Sequence, residues 1–248
     1  MDVVDGIDAL NHDHGPLFAV VGVFDGLHRG HAYLLEHLVT EARARSALPS
    51  VITFDHHPDE ILTGSAPPLL LDPQERLERL QAAGVEVTVV QHFDDALRHT
   101  AFDAFVDRIR ARTALAGFLM TPDAAFGYER RGTPDALAAL GERDGFEVVV
   151  IPPFTLDGQS IRSSAIREAV ATGDLRQADR WLGRPFAITG AVERDGRLAF
   201  ALPMSLPPNG HYPCEVHGAP ATLTIASGQA RLETPIDPGP RIEVTFRT

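Results

Sequence analysis

Residues 18–31 constrain this chain more than any other stretch. Phe18, Ala19, Val20, Val21 and Gly22 are apolar or small and rich in β-branched valine, which predicts a short buried strand. Gly22, Gly26 and Gly30 punctuate the end of that strand and the residues after it, and glycine permits close approach of backbone to backbone or to a ligand. Apolar residues then recur at Leu27, Tyr33, Leu34, Leu35, Leu38, Val39 and Ala42 with helical spacing. The stretch therefore predicts strand, tight turn and helix. His28 and His31 fall at the helix start and share one face if both are helical. The first N–H groups of a helix lack intrahelical partners and receive anions well. Imidazole donates to a phosphoryl oxygen without a permanent charge. A nucleotide site fits this spacing, and so does a plain strand–helix joint carrying two surface histidines.

The rest of the chain repeats the alternation. Residues 49–54 read as a second strand, closed by Asp55, His56, His57, Pro58 and Asp59. Ligands of open α/β sheets bind beyond the carboxyl ends of strands, so this run is expected to touch substrate rather than to hold a metal. Residues 60–72, with Ala66-Pro67-Pro68, read as a proline-rich loop, which fits a plain surface connection. Asp72 caps a helix opened by Pro73, Glu75 stands at capping-box distance, and Gly84 ends it. Residues 85–90 form a third strand, 94–99 a polar turn, and 101–110 a helix with Phe102, Phe105, Val106 and Ile109 on one face. A fourth strand covers 118–120, with a loop at 121–128 where a ligand would sit. A helix runs from Thr133 and Pro134 through Leu140, and residues 146–151 form a fifth strand. Such alternation predicts a Rossmann-like parallel sheet with helices on both faces.

After a turn at Asp157-Gly158, Ser163 and Ser164 lie where they can cap a helix ending at Gly173. Arg167, near the same helix start, offers a planar fork of donors suited to phosphates. The spacing alone fits an ordinary capped helix equally well. A last helix covers 174–182. Strand-like runs then come at 186–192, 198–201, 212–216, 221–225, 230–234 and 242–246, with a hairpin turn at Asp195-Gly196. They predict a small all-β, barrel-like domain at 185–248 behind an α/β domain at 1–184.

Composition narrows the partners. The formal charge is −12 and every basic residue is arginine, which argues against general nucleic-acid binding. Phosphates must be met by arginine, histidine and backbone N–H. The single cysteine, Cys214, excludes an intrachain disulfide and a cysteine-only metal site. No apolar run approaches a membrane span, the first residues do not read as a secretion signal, and a cytoplasmic location is expected. Residues 1–16 carry Asp8, His12, Asp13 and His14 without a scaffold to fix metal geometry, and read as a flexible lead-in strand or tail.

Two motifs resemble a known family. Gly22, Phe24, Asp25, Gly26, His28, Gly30 and His31 resemble the extended His-x-Gly-His signature of nucleotidylyltransferases, in the form found in the adenylyltransferase module of bacterial bifunctional riboflavin kinase/FAD synthetase. Ile161, Ser163, Ser164 and Arg167 resemble its Ile-Ser-Ser-Thr-x-x-Arg element, with Arg162 where the family has its first serine. Thr53, Phe54, Asp55, His57 and Pro58 match its Thr-Phe-Asp-Pro-His-Pro element, with His56 in place of the first proline. Asp123, Phe126 and Gly127 match a further loop, where Thr121 replaces a glycine and Ala124 an aromatic residue.

The resemblance implies an FMN adenylyltransferase, with ATP and FMN as substrates and magnesium carried on the ATP phosphates. His28 and His31 would hold the reacting phosphates. Ser163, Ser164 and Arg167 would hold the leaving β- and γ-phosphates, with Arg162 reaching the same chain. Gly22, Phe24, Asp25, Gly30, Phe54, His57, Asp123 and Phe126 would line the nucleotide and flavin sites. The altered 121–128 loop leaves open a different phosphorylated acceptor or CTP as donor, and a non-catalytic flavin or nucleotide sensor is the third reading. Residues 185–248 resemble a shortened riboflavin-kinase barrel in which Phe200 to Leu206 stand where the Gly-x-Pro-Thr-Ala-Asn signature is expected. The resemblance therefore implies no riboflavin kinase activity, and leaves this domain as a lid or a homo-oligomer contact.

Overall fold

The computed structural model describes residues 1–233 and 239–248. Contacts divide the chain into two units. The first comprises Met1–Phe24, His31–Pro67 and Leu77–Phe154, the second Asp25–Gly30, Pro68–Arg76 and Thr155–Thr248.

The first unit is an α/β layer structure. Its strands are β1 (Asp2–Asp5), β2 (Leu17–Val21), β3 (Leu48–Phe54), β4 (Val87–Gln91), β5 (Leu115–Met120) and β6 (Glu147–Val150). They form one sheet in the order β1-β4-β3-β2-β5-β6, parallel throughout. Helices α1 (Arg29–Ala44), α2 (Asp59–Thr63), α3 (Pro73–Ala82), α4 (Asp95–Arg98), α5 (Phe102–Arg110) and α6 (Pro134–Asp144) intervene, the first residues of α1 and α3 being counted with the second unit. Valine and isoleucine fill the central strands because those strands are covered on both faces, and Ile52, Val87, Val89 and Phe118 are buried in one apolar core. Phe105, Val106 and Ile109 of α5 join that core along the stripe expected from their spacing. Asp72 Oδ1 accepts from Gln74 N and Glu75 N at 3.0 and 3.1 Å, and so caps α3.

Residues 2–5 take the lead-in strand alternative rather than the tail: they add β1 in parallel beside β4, in register from Asp2 with Val87 to Asp5 with Val90. Two other expectations need correction. Residues 94–99 hold the single-turn helix α4, begun by Asp94 accepting from Leu97 N at 2.7 Å. Residues 60–72 are not a simple loop, since α2 occupies 59–63 and Leu69, Leu70 and Leu71 are buried.

The second unit holds the hairpin β7 (Thr155–Leu156) and β8 (Gln159–Ser160), helices α7 (Ser163–Thr172) and α8 (Leu175–Leu182), and an antiparallel sheet. That sheet has β9 (Ala187–Val192), β10 (Leu198–Ala199), β11 (Gly210–Val216), β12 (Ala219–Ala226), β13 (Gln229–Leu232) and β14 (Gly239–Phe246). Its order is β10-β9-β14-β11-β12-β13. A bridge between Arg197 and Arg231 joins the two edges, so the sheet nearly closes into a barrel. Phe186 and Phe246 stack inside it at 5.3 Å between ring centres. The strand expected at 230–234 ends at Leu232, and Thr234 lies outside the described residues. Among the described residues, no helix is long and apolar enough to cross a membrane.

Candidate active site

In the first unit the strand order reverses at β2 and β5, which lie side by side although β3 and β4 intervene in sequence. The crevice at such a switch point is where open α/β sheets bind ligands. A cavity of about 150 Å³ lies there, lined by Gly22 at the end of β2, Phe24, His31, Leu34, and Thr121, Ala124 and Phe126 beyond β5. Phe24 holds a left-handed backbone, φ 55°, with its ring buried 5.1 Å from the His31 ring. A bulky residue in that conformation is strained, and such strain persists where surrounding structure enforces it. His31 is the third residue of α1, in its first turn.

The other expected residues of this unit divide. Phe126 lines the cavity, and its ring also packs on Phe105 and Phe118 at 5.3 and 5.6 Å. Asp123 is exposed, with Oδ1 accepting from Thr121 Oγ1 at 2.8 Å and its carbonyl accepting from Arg130 at 3.0 Å. Thr121, which replaces the family glycine, therefore ties down the carboxylate it precedes. Phe54 does not line the cavity. It is a core side chain, edge-on to Phe93 at 5.3 Å, because the last residue of β3 faces the sheet's interior. His57 accepts from Asp59 N through Nδ1 at 3.2 Å, at the start of α2, and is likewise not in the lining.

In the second unit the turn 25–30 and the start of α7 meet. Asp25 is buried, and its two carboxylate oxygens accept from Leu70 N at 3.0 and 3.1 Å. Arg167 Nη2 donates to Asp25 Oδ2 at 2.7 Å and its Nε donates to the Pro68 carbonyl at 2.9 Å, leaving Nη1 as its remaining nitrogen. Ser163 Oγ donates to the Asp25 carbonyl at 2.9 Å. The two motifs thus converge on one aspartate. The serines do not cap α7: its N-cap is Arg162, with no side-chain cap, and Ser163 is already the first helical residue. Ser164 and Arg162 are exposed at that helix start.

His28 precedes α1 rather than lying within it, so it does not share a helical face with His31. It is buried, and burial followed by the positive charge of Arg184 lowers its pKa to about 4. At neutral pH it is an uncharged imidazole. Gly30 sits against this ring: a Cβ there would lie 3.1 Å from His28 Cε1 and Nδ1.

Arg184 was not singled out by the sequence as a site residue. Its Nη2 donates to the Gly26 carbonyl at 2.8 Å and its Nη1 to the Leu27 carbonyl at 3.2 Å, which clamps the turn. Leu27 itself is left-handed at φ 37°. The only available signal was an arginine flanked by Gly183 and Pro185 just past the last helix.

Comparison with known proteins agrees with the motif geometry. The family model described as FAD synthetase matches residues 10–165. A bifunctional riboflavin kinase/FMN adenylyltransferase from Haemophilus influenzae is 33% identical over 80% of this chain and 65% of its own length. The protein of the same description from Escherichia coli is 33% identical over 72% of this chain and 58% of its own. This chain therefore spans less than two thirds of the length of these relatives. A solved structure titled as a macrolide-efflux protein from Streptococcus pneumoniae shares the fold, with a TM-score of 0.76 at 22% identity, covering 98% of this chain and 88% of that one. With the family model matched across both the 22–31 turn and the Ser163–Ser164 helix start, the chain belongs to the FAD synthetase family.

Proposed function

We propose that this chain is an FMN adenylyltransferase, a nucleotidyltransferase that makes FAD and pyrophosphate from ATP and FMN. The observation that carries this reading is the convergence of Ser163 and Arg167 on Asp25, which couples the second motif to the turn that leads into α1. The relatives' descriptions name the same activity. In the reaction an FMN phosphate oxygen attacks the α-phosphorus of ATP. The bond to the bridging oxygen breaks, and that oxygen leaves with pyrophosphate. No covalent enzyme intermediate is required, so catalysis rests on placement and charge stabilisation. His28 and His31 donate to the reacting phosphates. Ser163, Ser164, Arg162 and the Nη1 edge of Arg167 serve the leaving phosphates. Asp123 and the backbone at Gly22 and Gly30 serve nucleotide placement. The Asp25 carboxylate already holds Arg167 and Leu70 N, so magnesium enters on the triphosphate as part of the substrate.

Residues 185–248 act on this reading as a structural β domain without riboflavin kinase activity. The stretch standing in the place of the kinase signature is committed to backbone pairing: Met204 bridges Leu69, and Ser205 N donates to the Leu69 carbonyl at 2.7 Å. A cytoplasmic setting, where ATP is abundant and a lone thiol such as buried Cys214 stays reduced, goes with the proposal.

The test is FAD and pyrophosphate formation from ATP and FMN by wild type and His31→Ala. A loss of about a hundredfold or more is expected for the variant. Equal turnover by both proteins overturns the assignment. A second reading, transfer to another phosphorylated acceptor, is favoured by one observation: Ala124 lines the cavity where the family has an aromatic ring. Pyrophosphate release with other acceptors or with CTP, and none with FMN, would select it.

A further inference from the structure

Asp55 and His56, which the sequence places in a run expected to touch substrate rather than to hold a metal, gather with His92 into a cluster that has the donor set of a metal centre. β3 and β4 are parallel neighbours whose last paired residues are Phe54 and Gln91. The next residue on each strand, Asp55 and His92, is thereby carried side by side at the carboxyl end of the sheet. Asp55 Oδ1 is fixed by two backbone donors, His56 N at 2.8 Å and Phe93 N at 3.2 Å. Its Oδ2 faces two imidazoles, His92 Nδ1 at 2.5 Å and His56 Nδ1 at 3.3 Å. The three ligand atoms all lie within 4.8 Å of one another.

We propose that Asp55, His56 and His92 form a binding site for one divalent transition-metal ion of the zinc, cobalt or nickel type. Two imidazoles and a carboxylate suit such ions, whereas magnesium prefers an all-oxygen shell that retains several waters. Bonds of 2.0–2.2 Å in a tetrahedral arrangement place neighbouring ligand atoms roughly 3.3 Å apart. The His56–Asp55 separation already has that value. The His92–Asp55 separation must open by somewhat under 1 Å, and the exposed His92 ring is free of core packing that would resist this. The backbone bonds to Oδ1 supply the outer support that a ligating carboxylate needs, since they orient Oδ2 without competing for it. The remaining coordination positions face solvent, so a water or an external anion completes the shell. The site ties the end of β3 to the end of β4. One of its ligands, His56, stands where the resembling family element has proline. It does not depend on the adenylyltransferase reading.

The experiment uses the full chain, freed of metal by chelation and dialysis, titrated with cobalt(II) followed by its visible absorption and with zinc(II) by calorimetry. One equivalent is expected, with cobalt displaced by zinc and unaffected by excess magnesium. His56→Gln and His92→Gln are each expected to weaken binding about tenfold or more, and the double variant to abolish the one-equivalent step. Both rings are exposed, so circular dichroism and the melting temperature of the metal-free variants should match wild type. Absence of a one-equivalent step in wild type, or its persistence in the folded double variant, overturns the proposal.

Discussion

Removing the Asp25 carboxylate tests the central contact of the second unit. In Asp25→Ala, the buried Leu70 N–H loses its acceptor, and Arg167 loses the oxygen 2.7 Å from Nη2. Breaking a buried ion pair by deleting one partner costs about 3–5 kcal/mol. The Arg167 side chain is 15% exposed, so water can re-solvate part of the guanidinium, which places the expected loss near the lower end, about 3 kcal/mol. Asp25→Asn keeps an acceptor for Leu70 N but removes the charge, and should lose about 1.5–2 kcal/mol. Arg167→Ala leaves the carboxylate buried without its cation and should lose about 3 kcal/mol. The double variant Asp25→Ala/Arg167→Ala strands neither charge, and should therefore be more stable than the sum of the single losses implies, by about 2 kcal/mol. Urea denaturation of wild type and these variants at pH 7, followed by fluorescence of Trp181 in α8, reads these differences directly. Additivity within about 0.5 kcal/mol would refute the pairing as an energetic unit.

The geometry carries three further outcomes. Since the folded His28 imidazole titrates at about 4 rather than its ordinary 6.5, the unfolded chain takes up a proton first as pH falls. The stabilising difference is therefore complete above pH 6.5 and is lost between 6.5 and 4. It amounts to about 3 kcal/mol, seen as a flatter pH dependence of the urea midpoint in His28→Gln. Gly30→Ala should favour α1 by up to about 1 kcal/mol while its Cβ, 3.1 Å from the His28 ring, displaces the imidazole. Melting temperature should hold or rise as turnover falls about tenfold, and full turnover would count against a role for His28. Gly127 has φ 76°, and a Cβ there would lie 2.6 Å from Phe102 N, so Gly127→Ala should lose about 3 kcal/mol by chemical denaturation.

The parallel sheet was legible because its central strands are short valine-rich runs separated by periodic helices, which is the pattern that burial on both faces imposes. What the sequence hid was short or tertiary. β1 is four residues, Asp-Val-Val-Asp, of which only Val4 is buried, so it carries no alternation to read. α4 is a single turn with Leu97 as its one buried residue, too short to show a period. The hydroxyl of Ser163 looked like a cap, yet it serves a carbonyl 138 positions away, which local spacing cannot reveal. The same holds for His92, aligned with Asp55 only through the β3–β4 register, and for Arg184, whose partners are carbonyls of a turn near the other end of the chain. Phe54 matched a motif, and its packing in the core follows from the pleat of β3, which the motif alone does not reveal.

The interleaving of the two units bears on how a ribosome delivers this chain. Residues 25–30 and 68–76 belong with a unit whose main body begins only at Thr155. At typical elongation rates those early segments wait on the order of ten seconds for their companions. During that interval Leu69 has no 203–205 segment to pair with and Asp25 has no arginine. In a nascent chain of this design the leucine triplet waits for its partner segment until synthesis has passed Met204.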